Sequence, residues 1–138
     1  SCGMEYSRTV EATGSFAIPE DFMKWHPTAH HNDDLKGLWK QFMERDFEQM
    51  LLFYIWGHSF EFDGAGNWEV MEEFCRTAGG RETIWYATNI EIKDYITASR
   101  GLVYSADMTM IYNPSGLDVW VSVDGEPVCI PAGHLWKG

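Results

Sequence analysis

Met50-Leu51-Leu52-Phe53-Tyr54-Ile55-Trp56-Gly57-His58 is the stretch on which the fold turns. It is apolar from Met50 to Trp56 with no polar alternate, which suits a strand covered on both faces, as in a parallel sheet flanked by helices. A bilayer-crossing helix needs about 20 apolar residues, so this run is too short for one. Gly57 and His58 end it, and Gly64 and Gly66 follow, so the chain is read here as passing from a strand into a loop.

Around this strand the sequence alternates. Upstream, Leu35, Leu38, Trp39 and Phe42 recur at helical spacing over residues 34–47, with Asn32 and Asp33 as cap candidates. Downstream, Trp68, Met71, Cys75 and Ala78 form a second stripe over residues 68–78, with Asn67 as its cap and Gly79-Gly80 as its stop. A third helix starts at the capping box Thr88-Asn89-Ile90-Glu91 and carries Ile92, Tyr95 and Ile96 towards Gly101. Further strands are expected at residues 3–10, at 22–28 with a break at Pro27, and at 83–87. Strand, helix, strand, helix, strand, helix reads as parallel βα units.

The tail has a different pattern. Residues 102–112, 117–123 and 127–130 read as three antiparallel strands. Asn113-Pro114-Ser115-Gly116 supplies one turn and Asp124-Gly125 a hairpin signal. Val119, Val121 and Val123 alternate with Trp120 and Ser122, which buries one face.

Composition limits the function classes. The 138 residues carry a net charge of −11 at pH 7, with ten Lys and Arg and no basic stripe. Neither nucleic acid nor an anionic membrane surface is an expected partner. Apolar residues make up 45% and aromatics 15%, which suits a packed core. Cys2, Cys75 and Cys129 form no Cys-x-x-Cys pair, so a thiolate zinc site is not expected. With no secretory pattern in view, a reducing, cytoplasmic location is expected.

His26-Pro27-Thr28-Ala29-His30 has the His-x-x-x-His spacing that joins two metal ligands on a helix. Pro27 drives His26 out of the helical region. In an extended chain the two histidines stand about 13 Å apart, too far for one zinc ion with bonds of about 2.1 Å. No metal site is expected in this chain.

Leu51-Leu52-Phe53-Tyr54-Ile55-Trp56-Gly57-His58-Ser59-Phe60-Glu61-Phe62 resembles the last catalytic motif of polysaccharide deacetylases, in which an apolar strand ends in a His that protonates the leaving amine. Asn67-Trp68-Glu69 and Ile84-Trp85-Tyr86-Ala87-Thr88-Asn89-Ile90-Glu91 are similar to the continuation in a bacterial subgroup of short deacetylase-like proteins. So are Asn113-Pro114-Ser115 and Val119-Trp120-Val121-Ser122-Val123-Asp124-Gly125. Tyr6-Ser7-Arg8-Thr9 is similar to the region where that family places an Arg orienting the catalytic Asp. The family's Asp-Asp-Gly and helical His-x-x-x-His motifs, which supply the base and the metal ligands, have no counterpart in the chain.

The resemblance implies an α/β protein. Its expected form is a partial (β/α) deacetylase-type barrel over residues 1–101, followed by a C-terminal antiparallel β-meander over 102–138, in a single incomplete domain. It implies metal-dependent hydrolysis of N-acetylated amino sugars by a full-length member using a zinc-type divalent metal, and inactivity of this chain in isolation. His58 is the expected general acid, imidazole being the side chain suited to proton transfer around neutral pH, and Arg8 the expected carboxylate-holding catalytic residue. His30, His31 and Glu61 are expected to contact a carbohydrate substrate, with Thr28 and Asp63 as lesser candidates. Trp56 and Trp85 are read as core, and Trp120 as a further ring able to stack on a sugar. Two alternatives stand beside this reading. One is a non-catalytic remnant that binds carbohydrate or a partner chain, through homo-oligomerisation or a complementing N-terminal half. The other is an unrelated α/β binding domain.

Overall fold

Helix α1 spans Leu35–Met43 and forms as the apolar spacing dictates, burying Leu35, Trp39 and Phe42 on one side. The computed structural model describes residues 2–45 and 49–138, so the expected end of this helix at Phe47 lies outside the described residues. Its cap is Asp34, whose carboxylate accepts the Gly37 amide at 2.9 Å, rather than Asn32 or Asp33. The chain is mixed α/β, with four helices and seven strands in small sheets among the described residues. It divides into two compact units, Ser1–Trp85 and Tyr86–Gly138.

In the first unit, β1 (Ala29–His30) and β2 (Ile55–Trp56) pair in parallel, with Ala29 opposite Ile55 and His30 opposite Trp56. Arg8 forms a parallel bridge with Trp25 on the other side. Backbone bonds from Thr28 to Tyr54 and from Leu52 to Phe16 extend the contact beyond the regular strands. No closed barrel forms among the described residues.

The core of this unit is aromatic. Phe16, Trp39, Phe42 and Phe74 are buried around Ala29, Leu35 and Ala78, and half-buried Phe53 stacks on Phe74 at 5.8 Å. Helix α3 (Trp68–Ala78) has the expected bounds but turns Phe74 inward, while Trp68 and Cys75 are exposed. Of the expected stripe, Met71 and Ala78 do pack on the core, while Phe74 takes the place read for Cys75 and Trp68 stays exposed. Asn67 holds the cap position without a side-chain cap bond. Gly80, not Gly79, takes the left-handed conformation, at φ 71°.

Three expected strands change form. Residues 22–24 make a single 3-10 turn capped by Asp21, whose carboxylate accepts the Met23 amide, and regular pairing starts only at Ala29. Residues 3–10 form no regular strand: Arg8 bridges Trp25, and the Ser7 amide bonds the Phe22 carbonyl at 2.9 Å. No strand forms over 83–87: the Ile84 amide closes a turn onto Arg81, and Trp85 and Tyr86 are exposed. Their apolar character had suggested burial in a sheet that they do not join. The glycine-punctuated segment after His58 is likewise not all loop: α2 (Ser59–Ala65) occupies it and stops at Gly66, φ 61°.

In the second unit, α4 (Asn89–Arg100) begins at the expected Thr88–Glu91 capping box. The expected strand over 102–112 is two strands, β3 (Val103–Tyr104) and β4 (Met110–Tyr112), because Asp107 ties the turn between them by accepting from Ser105 and Thr109. β5 (Val119–Val123) and β6 (Glu126–Ile130) form the hairpin at Asp124-Gly125, both residues having positive φ. β7 (Leu135–Lys137), which the sequence reading lacked, pairs antiparallel with β4. Ala98, Leu102, Ile111, Val119 and Ile130 make the core.

Candidate functional site

The parallel register of β1 and β2 brings the C-terminal ends of both strands to one edge. His30 and His31 leave from the first, His58 lies two residues past the second, and Glu61 stands in the first turn of α2. Consecutive residues of a regular strand point to opposite faces. His30 and His31 converge because the strand stops between them. The Asp33 amide bonds the His30 carbonyl at 2.9 Å, and the Asp33 carboxylate accepts the His30 amide at 2.7 Å. The turn that results sets the two rings 4.1 Å apart.

Glu61 Oε2 is the hub. It accepts the His58 amide at 2.9 Å and lies 3.0 Å from His58 Nδ1, 3.4 Å from His30 Nε2 and 3.8 Å from His31 Nδ1. Burial pushes the Glu61 carboxyl up. The His58 amide and imidazole and the charges of His30 and His31 outweigh it and hold the group below its ordinary value.

His31 is 2% exposed, and its Nδ1 makes no hydrogen bond among the described residues. Burial lowers its pKa first, and the His30 and His58 charges add to that. Glu61 and the Trp56 carbonyl oppose the shift without reversing it. A Cβ at Gly57 would overlap His31 Nδ1, so only glycine leaves this ring its place.

Aromatic rings wall the cluster. Trp56 stands edge-on to His30 at 4.6 Å and to His58 at 5.5 Å, and the Arg8 guanidinium lies over its ring at 4.3 Å. Phe62 packs on His31 at 4.2 Å, and Phe60 stacks on the half-exposed His58 ring at 5.1 Å. The structure thus gathers His30, His31, His58 and Glu61 directly and attaches Arg8 through Trp56.

The lesser candidates lie elsewhere. Asp63 accepts the Trp68 indole N–H at 2.8 Å. Buried Thr28 donates to the Ser15 carbonyl at 2.9 Å. His26 sits 2.9 Å from Thr9 Oγ1 and 3.6 Å from Glu11, among different neighbours from those of His30. Trp120 is exposed in the second unit.

Sequence reasoning missed the place of Trp56 as the wall of the site, having read it as core. It also missed the convergence of the two adjacent histidines on one carboxylate. A usable signal was His58-x-x-Glu61, the spacing at which an N3 carboxylate reaches back to the N-cap amide. No protein-family model, curated protein or solved structure matches the chain.

Proposed function

We propose that this chain carries the acid–base part of a deacetylase-type hydrolase acting on N-acetylated amino sugars, with its parallel pairing forming part of a deacetylase-type barrel. The observation that carries the reading is the His58–Glu61 pair at the C-terminal edge of the parallel strands, the edge on which barrels of this kind assemble their chemistry.

Glu61 at Nδ1 fixes the imidazole with a proton on that nitrogen and leaves Nε2 to exchange a proton with a reactant. In amide hydrolysis the difficult departure is that of the amine, which leaves only as its nitrogen is protonated. His58, half exposed and braced between Phe60 and Trp56, is the donor. The Arg8 cation lies over Trp56, and holding a catalytic carboxylate from there is the role that the resemblance gives it. His30 lines the approach to the reacting amide, with the buried His31 ring packed against it, and Glu61 positions His58. The zinc-type metal that the resemblance implies, held in a full-length member by motifs without counterpart in this chain, would supply Lewis-acid polarisation of the acetamide carbonyl.

The test is an NMR titration of the chain with N-acetylglucosamine oligomers and with their fully deacetylated counterparts. The reading expects the acetylated ligand to shift the ring signals of His30, His31 and His58, the Gly57 amide and the Trp56 indole, and the deacetylated one to shift them less. Shifts confined to the exposed Trp120, or no shifts at all, would favour a carbohydrate- or partner-binding remnant.

A further inference from the structure

Three imidazoles surround one carboxylate oxygen at the edge of β1 and β2, and the most buried of them has a ring nitrogen, Nδ1, without a hydrogen-bond partner among the described residues. A neutral imidazole nitrogen deprived of water and of a partner is unfavourable. A cation placed between that nitrogen, His30 and Glu61 would remove the defect and balance the carboxylate at once.

The spacing is close to that of such an ion, and the wider gaps need the side chains to draw in on binding. Tetrahedral zinc with bonds of about 2.0–2.2 Å holds its ligand atoms about 3.3–3.6 Å apart. Here Glu61 Oε2 is 3.4 Å from His30 Nε2 and 3.8 Å from His31 Nδ1, and the three ligand atoms lie within 4.8 Å of one another. The supporting shell is also present. His58 bonds the same carboxylate through both its amide and its ring, Gly57 clears the space that His31 occupies, and Phe62 holds the His31 ring from the side.

We propose that His30 Nε2, His31 Nδ1 and Glu61 Oε2 form a three-ligand site for a zinc-type divalent cation, built entirely within this chain. Two imidazoles and one carboxylate favour zinc over magnesium or calcium, which take oxygen ligands. Three protein ligands leave the fourth position of a tetrahedral ion open, as in catalytic rather than structural zinc sites. The proposal departs from the expectation drawn from His26-x-x-x-His30. Only one of those two histidines takes part, and its companions are its sequence neighbour and a residue from the next helix. It goes beyond the hydrolytic reading and does not rest on it, since such a site binds metal whether or not the chain cleaves an amide.

Cys2 and Cys75 are exposed thiols that take zinc themselves, so the test uses a Cys2→Ser/Cys75→Ser background. Zinc is titrated into chelator-treated protein by calorimetry, and cobalt(II) is followed by its visible absorption. The expected result is one ion per chain, the intense spectrum of four-coordinate cobalt, and movement of the His31 Nδ1 nitrogen resonance on zinc addition. Glu61→Gln and His30→Ala each abolish the binding with the circular dichroism unchanged, and His58→Ala weakens it about 10–100-fold. His26→Ala leaves it unaltered. Glu61→Gln, close in shape to the native residue, decides the matter if His30→Ala does not fold. Absence of stoichiometric zinc binding by the folded protein, binding that survives Glu61→Gln, or a zinc complex that leaves His31 Nδ1 unmoved would each overturn the proposal. Any of these would leave the oligosaccharide titration to be judged on its own.

Discussion

His58 and Glu61 are joined twice, the Glu61 carboxylate accepting the His58 amide at 2.9 Å and lying 3.0 Å from its Nδ1. One side chain therefore caps the start of α2 and orients the ring that precedes it. Helix start and candidate site are the same piece of structure, so the first turn of α2 cannot loosen without moving the imidazole.

Gly57 is the position where this coupling is tightest. Gly57→Ala puts a methyl group into the His31 ring, which is buried and cannot swing to solvent. Overpacking of this kind costs about 1–3 kcal/mol. Urea unfolding is expected to show a loss of that size, with the His31 ring signals displaced in the folded protein. An unchanged midpoint and unchanged His31 signals would show that the ring is not confined there.

Asn113 is fully buried in the second unit. Its amide donates to the carbonyls of Leu117 at 2.7 Å and Ile130 at 2.9 Å, while its oxygen accepts the Ser115 amide at 3.0 Å. Asn113→Ala strands these groups away from water, at about 1–3 kcal/mol for a buried unsatisfied group. Hydrogen exchange is expected to speed up at β5 and β6, and Asn113→Asp should be worse, since it sets a buried carboxylate oxygen against the Leu117 and Ile130 carbonyls.

The α4 cap gives a pH signature. Hydrogen bonds from the Thr88 hydroxyl and amide, both at 2.7 Å, hold the Glu91 carboxyl below its ordinary value of 4.5, against a smaller upward push from burial. A depressed carboxyl contributes stability that is fully present above the unfolded-state pKa and is lost as pH falls through the lower folded-state value. Wild type should exceed Glu91→Ala in thermal stability at neutral pH, with the gap closing at acid pH below 4.5. A gap that stays constant across that range would contradict the assignment.

What could be read from the sequence follows the range of the forces involved. The bounds of α3, the Thr88 capping box and the Asp124-Gly125 hairpin depend on neighbours a few residues apart, and each was visible. On α3 the expected Met71 and Ala78 do face the core, but Cys75 was read where Phe74 packs, because both are apolar and only the rings of Trp39 and Phe53 select Phe74. Residues 83–87 have strand composition, yet a strand requires a hydrogen-bonding partner, which local sequence does not specify. For the site, the five residues were legible one at a time, as polar groups beside strand ends. The meeting of the three histidines on Glu61 Oε2 was not, because it depends on where β1 stops and on the parallel register that sets His30 beside Trp56.

The most direct test of the hydrolytic account is acetate release from N-acetylated chito-oligosaccharide by the full natural polypeptide, wild type against His58→Gln. The account predicts acetate release by wild type and a fall in kcat of about 10²–10⁴-fold in the variant, the contribution of a positioned general acid, with KM little changed. Acetate release at an unaltered rate in a folded His58→Gln protein, or none from any N-acetylated amino sugar by wild type, would contradict it.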